Sequence, residues 1–195
     1  FLFEVPSNLL LHRFGARFWI ARIMLTWAVI SMAVAFTVPL AGVFHIESST
    51  MFYVLRFLLG AAEAGFFPGV IVYLTHWFTS RDRAKALSYF LIATPFAQVL
   101  SPKISNALLK IGTTEIVNGQ TVTHPLVLGM TGWQWVYVFW AIPSILLGVV
   151  VFFWLTDRPR QAKWLTLEEQ EALETTLEAE RAQVAKGKRM TWLEA

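Results

Sequence analysis

The sequence predicts an all-α integral membrane protein, and three observations carry that prediction. Four apolar stretches, 23–44, 52–78, 86–109 and 133–155, are each long enough to cross a bilayer, which takes roughly 20 apolar residues for about 30 Å of hydrocarbon. The loops between them alternate in charge: those near 12–22, 79–85 and 157–163 hold three Lys or Arg each, and those near 45–50 and 111–131 hold none. Trp19, Trp77, Trp133, Trp135 and Trp154 stand at the predicted ends of spans, where amphipathic rings settle at headgroup level. A soluble helical core has no reason to alternate its loop charge, and 56% hydrophobic residues is too apolar for an ordinary soluble domain. The positive-inside rule assigns 12–22, 79–85 and 157–195 to the cytoplasm, with a bacterial plasma (inner) membrane expected.

The chain opens in mid-pattern at Phe1 with no charged leader and reads as a piece of a longer membrane protein. Residues 1–11, with Glu4, Pro6 and Asn8 embedded, are too short to span and read as part of a truncated helix. A basic loop follows, with Gly15 supplying the turn. Span 23–44 is nearly uncharged, with Pro39 near its far end, and span 86–109 is interrupted by Pro95 and Pro102 and carries Gln98 and Lys103. Between 110 and 131 lies a long polar loop with an Asn118–Gly119 turn signal. Span 133–155 contains Pro143.

After residue 163 the character changes. Residues 1–163 form the membrane bundle, and 164–195 a segment predicted to be cytoplasmic. Thr166 and Glu169 have the spacing of a capping box, followed by a Glu-rich amphipathic helix over about 167–185 with Leu173 and Leu177 on one face. Its expected role is a solvated linker. The basic run 186–189 suits anionic headgroups better than nucleic acid.

The stretch from Arg56 to Gly69 holds the most chemistry. Arg56 and Glu63 are seven residues apart, so they share one helix face about 10 Å apart along the axis. Each charge in a span costs at least ~2.5–3.5 kcal/mol on insertion scales, which makes such residues functional by default. Glu63 falls near mid-span, where desolvation favours the protonated carboxyl. The alternative is a structural ion pair between packed helices. Ala61, Gly65 and Gly69 form a small-residue ladder at spacing four, open to a close helix partner, and Pro68 invites a kink beside Glu63.

Several stretches carry a resemblance. Residues 6–17 (PSNLLLHRFGAR), 56–68 (RFLLGAAEAGFFP), Gly132 to Trp135 with Ile142–Pro143 and Asp157 to Pro159, and 162–169 (AKWLTLEE) together resemble the major facilitator superfamily. They are most similar to its anion:cation symporter family, which includes bacterial permeases for organic acids and sugar acids and the animal sialin-type carriers. The resemblance covers nearly the whole chain and implies a truncated amino-terminal six-helix bundle, from part of helix 2 to helix 6 and the start of the central loop. It implies proton-coupled symport of a small organic anion, a carboxylate or sugar acid, by alternating access. The substrate would bind near the midplane, against the carboxy-terminal half of the same chain. It further implies that Glu63 is the protonation site with Arg56 as its partner, and that Arg13, Gly15 and Arg17 belong to a gating loop. Where the superfamily usually carries Gly and Asp in that loop, this chain has Asn8 and His12. Trp140 and Ala141 stand where relatives often have Glu-Gly. The glycine-rich helix 5 motif of drug antiporters is missing around Ala93 to Pro102, which argues against drug export.

Other polar residues are candidates for substrate contact: Gln98, Lys103, Asn8 and Tyr73. For Lys103 the competing role is snorkelling to the headgroups, and for Gln98 an interhelical hydrogen bond. Glu4 is set aside as a second coupling carboxylate. His12, His45, His76 and His124 are scattered over different loops and suggest no metal site. There is no cysteine, which excludes disulfides and thiolate ligation, and no phosphate-cradling glycine loop that would support direct ATP drive. No cofactor is called for. The rivals to symport are uncoupled uniport or exchange, a non-transporting membrane scaffold or sensor, and an integral membrane enzyme, for which no convergent catalytic set is visible.

Overall fold

A computed structural model describes residues 4–117 and 120–193, with the backbone alone at 5, 8, 9, 12, 115–117, 120–122 and 184–193. The elements run α1 (Glu4–Phe14), α2 (Ala16–Ala35), α3 (Thr37–Phe44), α4 (Ser48–Glu63), α5 (Phe66–Trp77), α6 (Ser80–Leu91) and α7 (Ala93–Leu109). A hairpin of β1 (Thr114–Val117) and β2 (Gln120–Thr123) follows, then α8 (Gly132–Trp154), a 3-10 turn at Pro159–Gln161, and α9 (Leu167–Leu193). The Asn118–Gly119 turn lies outside the described residues, while Val117 pairs with Gln120 across it in an antiparallel register. Among the described residues the fold is all-α apart from this two-stranded hairpin.

Three segments among the described residues are long and apolar enough to cross a membrane: Ala16–Ala35, Ser48–Trp77 (which takes in α4 and α5) and Gly132–Trp154. The expected boundaries shift: span 23–44 is divided at Phe36, span 52–78 is broken at Ala64 and Gly65, and α4 begins at Ser48 within the expected loop 45–50. Helix α2 begins at Ala16, so the expected basic loop 12–22 shrinks to the single turn at Gly15 (φ 87°). Residues 80–85, expected as loop, form the first turns of α6, leaving only Phe78 and Thr79 between helices. The expected span 86–109 is divided at Ile92 into α6 and α7.

The divisions share a cause. Pro39, Pro68 and Pro95 are each the third residue of the helix that follows a break, in α3, α5 and α7. Proline has no N–H and its ring crowds the carbonyl four residues earlier, so the chain leaves the helix just before it. Ala35 is the residue whose carbonyl Pro39 cannot serve. That oxygen instead accepts a hydrogen bond from Gln134 Nε2 of α8 at 2.8 Å, satisfying a backbone group that hydrocarbon would leave costly.

Helix α2 is the central post. It packs along α8 and against α4 and α5, with α1, α3, α6 and α7 around this frame. One cluster at the basic-loop end joins Leu11, Ala16, Trp19, Ile20, Ile23 and Val70; another at the opposite end joins Val34, Ala41, Met51 and Leu55. Trp19 is therefore not the belt residue its position suggested: it is buried, and its Nε1–H donates to Ser7 Oγ at 2.9 Å. Trp133 and Trp154 are exposed.

The tail also differs from a solvated linker. Thr166 and Glu169 form the capping box: the Thr166 N–H donates to Glu169 Oε2 at 2.9 Å, and the Glu169 N–H to Thr166 Oγ1 at 3.3 Å. The backbone bond from Thr166, then the side-chain one, hold the Glu169 carboxyl below its ordinary range. Leu177 is buried. Glu180 caps α6 by accepting from the Ser80 N–H at 2.9 Å, and Arg181 Nη2 donates to the Thr75 carbonyl at the end of α5 at 3.2 Å. An acid at a helix start and a base at a helix end complement the two macrodipoles. Arg160 pairs with Glu174, and Trp164 stacks on Trp77 at 5.6 Å. Helix α9 thus straps the α5–α6 turn. The basic run 186–189 contributes backbone to α9, and its side chains lie outside those described.

Candidate functional site

The site is built around the break between α4 and α5. Ala64 leaves the helix (ψ 126°) and Gly65 adopts a left-handed conformation (φ 91°) that suits glycine. A Cβ at Gly65 would collide with the Ser7 side chain, and one at Gly69 would stand 2.9 Å from Leu11 Cδ1. The small residues of the ladder at 65 and 69 therefore receive α1, whose residues 7 and 11 have the same spacing. The Ser7–Trp19 hydrogen bond ties α1 in turn to α2.

Glu63 is the last residue of α4 and is exposed on this break. It lines a cleft of roughly 290 Å³ with Glu4, Gly60, Ala64, Gly65, Phe66, Phe67 and Pro68. Glu4, set aside from sequence, is thus brought by α1 to the same cleft as Glu63. The signal that could have found it is its spacing to Ser7, three residues on, once the glycine ladder is taken as the seat of α1.

Arg56 is not joined to Glu63 by an ion pair among the described residues. Its Nη2 donates to Tyr137 Oη of α8 at 2.9 Å, and its guanidinium lies 5.2 Å from the Phe52 ring centre and 5.9 Å from that of Tyr137. The seven-residue spacing put the two charges on one face, but the side chain of Arg56 is claimed from across the bundle. Tyr137 had no signal in the sequence: it is one aromatic among many in span 133–155.

The remaining candidates are dispersed. Gln98 and Lys103 are exposed on α7 and do not line the Glu63 cleft. Tyr73 sits at the basic-loop end, packed on the Trp19 cluster and beside Trp77. The side chains of Asn8 and His12 lie outside those described. Trp140, at the departure from the Glu-Gly pattern, ties α8 to α7 by donating to Ser105 Oγ at 3.1 Å.

At the turn holding Arg13, Gly15 and Arg17, a carboxylate arrives from an unexpected place. Asp157, beyond the end of α8, accepts from the Arg17 N–H at 2.6 Å, and a Cβ on Gly15 would stand 3.0 Å from its Oδ2. Asp157 caps α2 in place of a local residue, with charge suited to a helix start. Arg17 lies over the Phe152 ring at 5.9 Å and Arg13 over Phe14 at 5.8 Å. The sequence signal was present: Asp157 is the lone acid of the basic segment 157–163.

A helical bundle whose long apolar segments stay largely exposed, with carboxylates at one of its helix breaks, is an integral membrane protein. The chain matches the Major Facilitator Superfamily over residues 1–193 and belongs to it. It is similar to a putative tartrate transporter of Agrobacterium vitis, 49% identical over 93% of this chain and 36% of that protein. It is also similar to the putative metabolite transport protein NicT of Pseudomonas putida, 42% identical over 93% of this chain and 37% of the relative. A third relative is a quinolone resistance transporter of Acinetobacter baumannii, 41% identical over 94% and 37%. The chain therefore spans little more than a third of the length of these relatives.

Proposed function

We propose that the full-length protein containing this chain is a secondary transporter, not an enzyme, that couples entry of a small organic anion to a proton by alternating access. The observation that carries the reading is the placement of Glu63: a carboxylate at the break of a span, facing a cleft, with no cation paired to it among the described residues. Such broken helices are where secondary transporters place substrate and coupling-ion sites. Protonated Glu63 lets the loaded carrier reorient, and loss of the proton on the cytoplasmic side favours release. The basic-loop end, with the turn at Gly15, the α5–α6 turn and α9, is the cytoplasmic end. The carboxy-terminal half supplies the other wall of the pathway, and the membrane is a bacterial inner membrane. The relative named for tartrate supports a hydroxy-carboxylate as the substrate class, and that named for quinolone resistance supplies the rival class.

The test is uptake into proteoliposomes by the full-length protein under an imposed pH gradient. The labelled panel holds tartrate, malate, gluconate and a fluoroquinolone, run beside Glu63→Gln. One carboxylate is expected to accumulate only with the gradient, and Glu63→Gln to abolish accumulation while leaving counterflow exchange. Gradient-independent uptake that Glu63→Gln leaves intact would sink the coupling role and favour uniport or exchange. Movement of the fluoroquinolone alone would replace the substrate class.

A further inference from the structure

Among the described residues, Arg56 is held by neutral groups. Its partners among the described residues are a hydroxyl and two aromatic rings, those of Phe52 and Tyr137, and no carboxylate there pairs with it. A neutral acceptor and ring faces fix the plane of a guanidinium but leave its full positive charge and its remaining N–H groups available. A guanidinium paired to Glu63 would already be occupied. Tyr137 itself is fixed: its ring packs on the cluster of Val34, Ala41, Met51 and Leu55 and meets Trp133 edge to face at 6.4 Å. Its hydroxyl therefore carries the position of α8 to a charge on α4.

We propose that Tyr137 is a positioning residue for anion recognition: it orients Arg56 as an unneutralised cation that takes the substrate carboxylate, apart from the protonatable cleft at Glu63. This rests on the organic-anion reading above. The division of labour follows from the geometry. A carboxylate binds a planar guanidinium through two parallel N–H groups, and that fork discriminates only if its plane is held before the anion arrives.

The experiment is uptake kinetics of the full-length protein with the same labelled carboxylates, comparing the parent, Tyr137→Phe, Arg56→Lys and the double variant. Phenylalanine keeps the ring and its packing and removes only the hydroxyl. Tyr137→Phe is expected to raise KM about ten-fold, as for loss of a hydrogen bond to a charged group, with kcat changed less than about two-fold. In the Arg56→Lys background, where the fork is already lost, Tyr137→Phe is expected to change KM less than about two-fold. A parent-like KM in Tyr137→Phe, or the same factor in both backgrounds, overturns the inference while leaving anion transport standing. A Tyr137→Phe protein that no longer elutes as a single species in detergent overturns it too, since the hydroxyl is then structural. A parent that moves none of the carboxylates overturns the organic-anion reading and this inference together.

Discussion

The α4–α5 segment and α8 are both apolar and both contain a proline, yet one is broken and the other is continuous. Pro68 follows a break at Ala64 and Gly65, whereas α8 runs from Gly132 to Trp154 straight through Pro143. The insult is the same in each: one N–H lost and one carbonyl crowded. What differs is the residue three places earlier and what it touches. Before Pro68 stands Gly65, free to take φ 91° and pressed against Ser7 of α1. Before Pro143 stands Trp140, whose indole is bonded to Ser105 of α7, beside the buried Ala141. Gly148 then seats α8 against α2, where a Cβ would stand 3.1 Å from Leu25. At Pro68 a glycine seated on a partner helix accompanies the break, whereas at Pro143 side chains anchored on both sides accompany a continuous helix. The two regions divide the work accordingly, α8 as frame and α4–α5 as the cleft that exposes Glu63.

Gly65→Val tests that comparison hardest. It forces a β-branched residue into a left-handed conformation and into Ser7, and the two penalties together are expected to cost about 3 kcal/mol or more. The expected readouts are a marked fall in the thermal unfolding midpoint in detergent and loss of uptake. A parent-like midpoint would mean that α1 does not seat on this glycine. Gly148→Leu strikes the frame and is expected to destabilise by about 1–3 kcal/mol through overpacking against Leu25 and Met24, again read as a lowered midpoint. Unchanged stability would detach α8 from α2. The smallest effect is expected from Pro143→Ala. Restoring one N–H within a helix that is already continuous should stabilise by about 1 kcal/mol with transport unchanged. A loss of transport there would show that α8 bends in function and would erase the contrast with α4–α5.

Local chemistry was legible along the chain and long-range pairing was not. The capping box at Thr166 and Glu169 forms because both partners lie within one turn of helix. The glycine ladder receives a helix, as small residues at spacing four allow, but only the fold shows that α1 fills it. The charge pair at 56 and 63 misleads for the same reason. Spacing fixes a shared face, and the longer arginine side chain is then won by whichever partner the bundle presents. Trp19 looked like a belt residue because aromatic position along a span says nothing of rotation about the helix axis.

By itself the sequence determined that this is a helical membrane chain, where its prolines and glycines permit breaks, which loops are basic, and which superfamily it belongs to. All of these depend on residue type and on neighbours within a few positions. The tertiary structure alone decided that Asp157 caps α2 across 140 residues, that Tyr137 holds Arg56 across 81, and that Glu4 shares a cleft with Glu63. Those contacts follow from how packed helices are rotated and set in depth against one another, and no periodicity within a single segment encodes that.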